Sequence, residues 1–268
     1  MHDGPRDLAG VEHRIQSIES VEKVMRAVWA LARAQQPQVE AAAAHSTAYL
    51  DAAEAMVAQL AGAPAPLESH EDVLWVLVGP ERAFCGPLAR VLLEQLPAAG
   101  SVGLVGQRLA AMAEQLPSVD ARVVFRVHGA ATPEDLGPRA DAVAAAVLEA
   151  PHRTVVVLAP EPEGTQLHHT TLLAGSRQPV AEPVETLLPV AEVLEAAMLE
   201  AVAGRLAVAL AEALRAEVRA RLIASEAARK SCETQIGELR HEWRMLRQGA
   251  ITQELVALTS GRKRGWHS

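Results

Sequence analysis

The chain is poor in aromatic residues. Two Phe, one Tyr and four Trp make up 3% of its 268 residues. Half of the residues are nonetheless apolar, and much of that share is alanine, which suits slim, closely packed helices better than a bulky core. Cysteine is scarce as well. Cys85 and Cys232 are the only two, which excludes a disulfide framework and gives no argument for secretion. The opening residues, Met1 to Pro5, hold no apolar signal region. No stretch approaches the roughly 18 uncharged apolar residues of a membrane span. The most apolar helical window, Val193 to Leu214, is broken by Glu195, Glu200, Arg205 and Glu212, so no direct membrane insertion is expected. A basic surplus is missing too. The net charge is -8, which argues against nucleic acid as a partner.

Signatures of bound groups are equally sparse. There is no HExxH, no cysteine knuckle, no P-loop and no GxGxxG. The ten histidines are scattered, with His168 and His169 the one adjacent pair. Neither a metal nor a cofactor is expected. The segment from Gly79 to Gly86 lies between a strand and a helix, where α/β domains often take phosphate. Without a fingerprint it reads as a turn, as does Gly103 to Gly106. Cys85 near a helix start has the place of a nucleophile but no evident base, so a structural thiol is the simpler account.

What is present is helix. From Glu192 to Ser260 there is no proline, and the only glycines are Gly204, Gly237 and Gly249. Ala, Leu, Glu and Arg dominate this stretch. A helix of that length runs on the order of 100 Å and needs a partner helix. Leu206, Leu210, Leu214, Val218 and Leu222 recur every four residues, a row suited to more than one neighbour. From Cys232 through Ile236, Leu239 and Trp243 to Leu246, the steps of four and three make a coiled-coil seam. Between the two lies Ala224 to Ser231, where alanines are the only apolar contacts. Arg240, Arg244 and Arg247 share one face.

The partner is the first sixty residues. Leu8, Val11, Ile15 and Ile18, then Val21, Val24, Val28 and Leu31, form two apolar sets. The three-residue step between them predicts a shift of seam, as a stammer makes. Pro37 predicts a kink or break. Gly62 to Pro66 ends the segment. Between the two arms, Val73 to Val78, Val102 to Val105, Arg122 to Val127 and Thr154 to Leu158 are β-branched or apolar runs. They alternate with helical patterns at Leu88 to Leu96, Leu109 to Leu116 and Arg139 to Glu149. That alternation predicts a mostly parallel sheet covered by helices. Thr165 to Ala174 allows an edge strand. The fold class is therefore α plus α/β: an antiparallel coiled coil of long N- and C-terminal helices with an inserted Rossmann-like α/β domain. Its segments are 7–60, 73–183 and 188–260.

Arg247-Gln-Gly-Ala-Ile-Thr-Gln-Glu-Leu255, followed by Thr259-Ser-Gly261, resembles the C-terminal RQAxITxEL…G signature of the γ subunit of F-type ATP synthases. Glu217-Val-Arg-Ala-Arg221-Leu-Ile-Ala224 resembles that family's SExxARMxAM motif. Arg14 to Ile18 and Lys23 to Ala27 resemble its RIxS…KITxAM stretch, and Glu81-Arg-Ala-Phe-Cys-Gly86-Pro-Leu88 resembles its DRGLCGGL turn. Pro87, Ala89 and Arg244 depart from the pattern. The resemblance implies a non-catalytic central-stalk rotor subunit of a rotary motor that couples ion transport to ATP synthesis or hydrolysis. Its partners would be the α and β subunits of the hexamer, the ε subunit and the ring of c subunits. It would sit at the periphery of the cytoplasmic face of a bacterial plasma membrane. It also implies that Arg247, Gln248, Thr252 and Glu254 form part of a catch on the hexamer, and that Lys23, Arg26 and Arg33 face acidic loops of β. Two other classes stay open on the residues alone. One is an effector-binding α/β domain on a stalk, taking a small anion near Gly79 to Gly86. The other is a coiled-coil scaffold that is stable as a homodimer.

Overall fold

The computed structural model describes residues 7–61, 73–150, 154–161, 166–173 and 186–263. Expectations for Pro5, Gly62 to Pro66 and the 174–183 end of the α/β segment lie outside the described residues.

Helix α1 (Leu8–Leu60) begins where Asp7 Oδ1 accepts the Gly10 N–H at 2.6 Å, an N-terminal cap that its short carboxylate suits. The helix runs unbroken through Pro37, against the expected break. Pro37 is itself exposed, while Ala32, Val39 and Ala43 around it are buried in the core. Tertiary packing on both sides outweighs the one helix hydrogen bond that proline removes.

The seam of α1 also differs from the expected one. Val11, Met25 and Glu22 are buried, and Ile15 and Ile18 are half-buried. Val21, Val24 and Leu31 lie about half exposed. The steps of four and three thus continue without a stammer. They pass through Glu22, and later through Ala32, Val39, Ala43, Ala53, Val57 and Leu60. Glu22 tolerates a buried seam position because its Oε1 takes the Arg26 guanidinium at 2.7 Å.

The chain forms two compact units, Met1–Leu31 with Ile223–Ser268, and Ala32–Leu222. The second holds the sheet. Strands β1 (Val73–Val78), β2 (Ser101–Val105), β3 (Val123–Val127), β4 (Thr154–Pro160) and β5 (Leu167–Leu173) lie in the order β3-β2-β1-β4-β5. The first four are parallel, and β5 is antiparallel on β4 at the edge. Parallel strands need crossovers. These carry α2 (Leu88–Glu94), α3 (Gln107–Ala113), the short α4 (Pro117–Asp120) and α5 (Leu136–Glu149). A 3-10 turn at Pro133–Asp135 leads into α5, closed by a capping box between Thr132 and Asp135.

Both faces of β1 are covered, which is why its sequence is a continuous apolar run. Leu74, Val76 and Val78 pack in one cluster with α5 and the long helices, whereas Val73 and Leu77 pack in another with α2 and α3. Helix α6 (Val190–Lys263) contributes Leu206, Leu210, Leu214 and Val218 to the first cluster and Ala216 to the second. The four-residue row therefore meets several neighbours, as its spacing predicts. Within this unit α1 and α6 run antiparallel. Glu40 pairs with Arg215 at 3.2 Å and Glu54 with Arg205 at 2.8 Å.

In the other unit, residues 8–31 of α1 lie antiparallel to the C-terminal part of α6. Cys232, Ile236 and Leu239 are buried, Trp243 and Leu246 half-buried, and Arg240 pairs with Glu19 at 2.8 Å. Ahead of this seam the fully buried residue is Ser225, not one of the alanines that the sequence singles out.

Candidate partner interface

Among the described residues, α6 is exposed beyond the seam. Every residue from 251 to 259 is exposed, including Ile251, Leu255, Val256 and Leu258 at 48, 57, 60 and 72%. Ile251, Leu255 and Leu258 share one helical stripe, and a stripe of exposed large apolar side chains marks a surface that meets protein. Thr252 sits there with its hydroxyl donating to the Gln248 carbonyl at 2.9 Å, so its oxygen still has acceptor capacity. Gln248 and Glu254 are exposed. The Arg247 guanidinium lies 5.0 Å from the centre of the Trp243 ring, a cation–π contact that steadies this exposed arginine. These four residues share one exposed segment, as the sequence pattern implies.

Lys23, Arg26 and Arg33 of α1 are not alike. Lys23 is exposed and lines an open groove with Glu19, Glu22, Arg26, Glu233, Ile236, Gly237 and Arg240. Arg26 is exposed but pinned to Glu22. Arg33 belongs to the other unit, where it donates to Gln36 Oε1 at 3.1 Å. Val21, Val24 and Leu31 add an exposed apolar stripe to α1. Their periodicity was legible in the sequence; their outward direction was not.

A second site was not foreseen as one. Glu217 on α6 is 1% exposed. Its Oε2 accepts the N–H of Glu81 at 2.7 Å and of Arg82 at 3.2 Å, in the turn after β1. Burial pushes the Glu217 carboxyl up, against the pull of those amides and of Arg221 and Arg82. The Glu81 carboxylate fills the neighbouring position. It accepts from the N–H of Gln107 and of Gly129, each at 2.8 Å, and lies 2.8 Å from His128 Nδ1. Gly106 has φ +125, and a Cβ there would meet the Gly79 and Pro80 carbonyl oxygens at 2.7 and 2.8 Å. Close backbone approach, not phosphate, explains this glycine. Within the turn, the amides of Glu81 and Arg82 are thus taken by the protein's own Glu217, and that of Gly79 by the Val105 carbonyl. Cys85 is buried, and desolvation together with the Glu217 charge pushes its thiol up, the reverse of what a nucleophile requires.

In each unit the long helices pair antiparallel; one unit also holds a doubly wound domain, the other an exposed helical end rich in apolar side chains. The family model described as ATP synthase matches residues 7–263, and the chain belongs to that family as a γ subunit. Comparison with curated proteins finds no match. Among solved structures, a chain of the Euglena gracilis mitochondrial ATP synthase rotor in rotational state 1 has TM-score 0.65 at 12% identity, over 91% of this chain and 98% of that one. A chain of the OSCP/F1/c-ring structure from the same organism has TM-score 0.68 at 13% identity, over 96% and 94%. A chain of the Tetrahymena thermophila central stalk and c-ring has TM-score 0.57 at 14% identity, over 76% and 99%. At these identities the likeness concerns the fold. No helix among the described residues is long and apolar enough to cross a membrane.

Proposed function

We infer that this chain is the central-stalk rotor subunit of an F-type ATP synthase. It couples ion flow through a membrane ring to ATP synthesis or hydrolysis in a hexamer of α and β subunits. The carrying observation is the family match across residues 7–263. The exposed apolar tip and the paired helices give it a physical basis. A shaft with different faces biases three sites to three conformations at once, and a coiled coil resists twist. The chemistry belongs to the partner subunits, so this chain contributes no catalytic group. The α/β segment, 73–183, sits by the ε subunit and the ring of c subunits, while 7–60 and 188–260 form the shaft. The complex lies on the cytoplasmic face of a bacterial plasma membrane, with this subunit peripheral to it.

Arg247, Gln248, Thr252 and Glu254 form part of a catch on the hexamer. Charge-assisted contacts are directional yet exchangeable, which suits a part that releases and rebinds. Lys23 and Arg33 face acidic loops of β, and Arg26 does so with its charge shared with Glu22. Co-expression with α and β subunits, followed by mass measurement, tests the assignment. A complex of one copy of this chain with three copies each of α and β is expected, and a stable homodimer that ignores them refutes it. In the assembled complex, replacing both Arg247 and Gln248 with Ala weakens ATP-driven ion pumping. Unchanged pumping removes these two residues from the catch.

A further inference from the structure

The α6 surface that meets the sheet domain is made largely of alanine and leucine. Ala209, Ala211, Ala213 and Ala216 are buried there beside Leu206, Leu210, Leu214 and Val218. Apolar contacts of this kind hold a helix against a sheet but are non-directional, so they resist rotation about the helix axis weakly. Glu217 is different. Its buried Oε2 accepts two successive backbone N–H groups of one turn, which sets both the rotation and the height of α6 at that point. The turn is in turn held by Glu81, whose carboxylate reaches the start of α3 after β2 and the segment after β3. Two carboxyl groups in series therefore connect α6 to the C-terminal ends of β1, β2 and β3.

We propose that Glu217 is a positioning residue for rotary coupling: it keys α6 to the α/β domain, so that torque entering one leaves through the other. Resting on the rotor assignment, this gives a mechanical role to a residue that touches neither nucleotide nor the exposed tip. Backbone amides are the right partners for such a key. They belong to the sheet's own frame and cannot swing away as side chains do.

The test uses the assembled complex with Glu217→Leu, Glu217→Asp and Glu217→Gln. Leucine fills the space without accepting a hydrogen bond. Aspartate keeps the charge but falls short of the amides, and glutamine keeps a neutral acceptor at the same reach. Hydrogen exchange at the Glu81 and Arg82 amides speeds up roughly tenfold or more in the Leu and Asp variants, the scale of a lost hydrogen bond to a buried group. Pumping per ATP hydrolysed falls while hydrolysis itself persists, and the Gln variant recovers most of both. A merely structural residue would lower the yield of complex and reduce pumping and hydrolysis together, leaving their ratio unchanged. Wild-type exchange and an unchanged ratio in whichever of the Leu and Asp variants assembles overturn the proposal. Wild-type pumping is the separate control: its absence refutes the rotor assignment, whereas the exchange rates still report on the key.

Discussion

Three glycines of α6 meet very different surroundings. A Cβ built at Gly204 lies 3.2 Å from Leu50 Cα and 3.3 and 3.4 Å from Leu50 Cδ1 and Cβ, whereas at Gly237 and Gly249 nothing lies within 4 Å. Glycine in a helix interior costs about 1 kcal/mol relative to alanine. Gly237→Ala and Gly249→Ala therefore gain close to that amount, because the new methyl meets open space. At Gly204 the same gain competes with overpacking, typically about 1–3 kcal/mol. The nearest obstacle is backbone, so the facing helix must shift rather than a side chain rotate. Gly204→Ala is expected to be neutral to about 2 kcal/mol destabilising, and the gap between it and Gly237→Ala is about 1–3 kcal/mol. Two compact units need not unfold together, so the assay is amide exchange of the residues flanking each glycine, supported by urea melts. If Gly204→Ala stabilises its surroundings as much as Gly237→Ala does, α1 and α6 are not in close contact at Leu50.

The other predictions concern the sheet domain. The Glu217 carboxyl is raised above its ordinary value of 4.5 by burial. Its contribution is therefore full below the unfolded value and lost as pH rises through the folded one. Relative to Glu217→Gln, the wild-type chain should gain stability as pH falls from neutral toward about 5, and urea melts over that range check the sign; a gain with rising pH refutes it. Phe84 has φ +66 and is half exposed. Phe84→Val should cost about 1–2 kcal/mol, since a β-branched residue fits that left-handed conformation poorly, while Phe84→Gly should be tolerated; thermal melts separate the two. Asp135 Oδ2 accepts the N–H of Ala131 at 3.0 Å and of Thr132 at 2.8 Å ahead of α5. Asp135→Ala should lose about 1 kcal/mol, as other lost caps do, measured by the same melts.

How much was legible in the sequence depended on what carried the signal. The parallel strands were readable because strands buried on both faces must be apolar throughout. The row at Leu206 to Val218 and the seam from Cys232 to Leu246 were readable because large apolar residues mark them. The seam of α1 was misread for the converse reason. Its buried positions include Glu22, Ala32, Ala43 and Ala53, while Val21, Val24 and Leu31 face outward. Weighing by apolar size put the large residues inward and invented a shift. A charged residue in a seam is legible only once its partner, Arg26, is known to lie one turn away on the same face.

The site divided along the same line. Arg247 to Leu255 stood out by their order in the chain, because a surface made from one continuous helix is written in consecutive residues. Glu217 and the turn at Glu81 and Arg82 were each noticed in the sequence, yet nothing there joined them, since they lie 136 and 135 residues apart. Local sequence determined the helices, the strands and the residues of the exposed tip, because propensity and periodicity act over a few residues. Which helix face turns inward, and which carboxyl group reaches which amide, only the tertiary structure decided. Those outcomes depend on backbone groups that every residue carries alike and that no residue name announces.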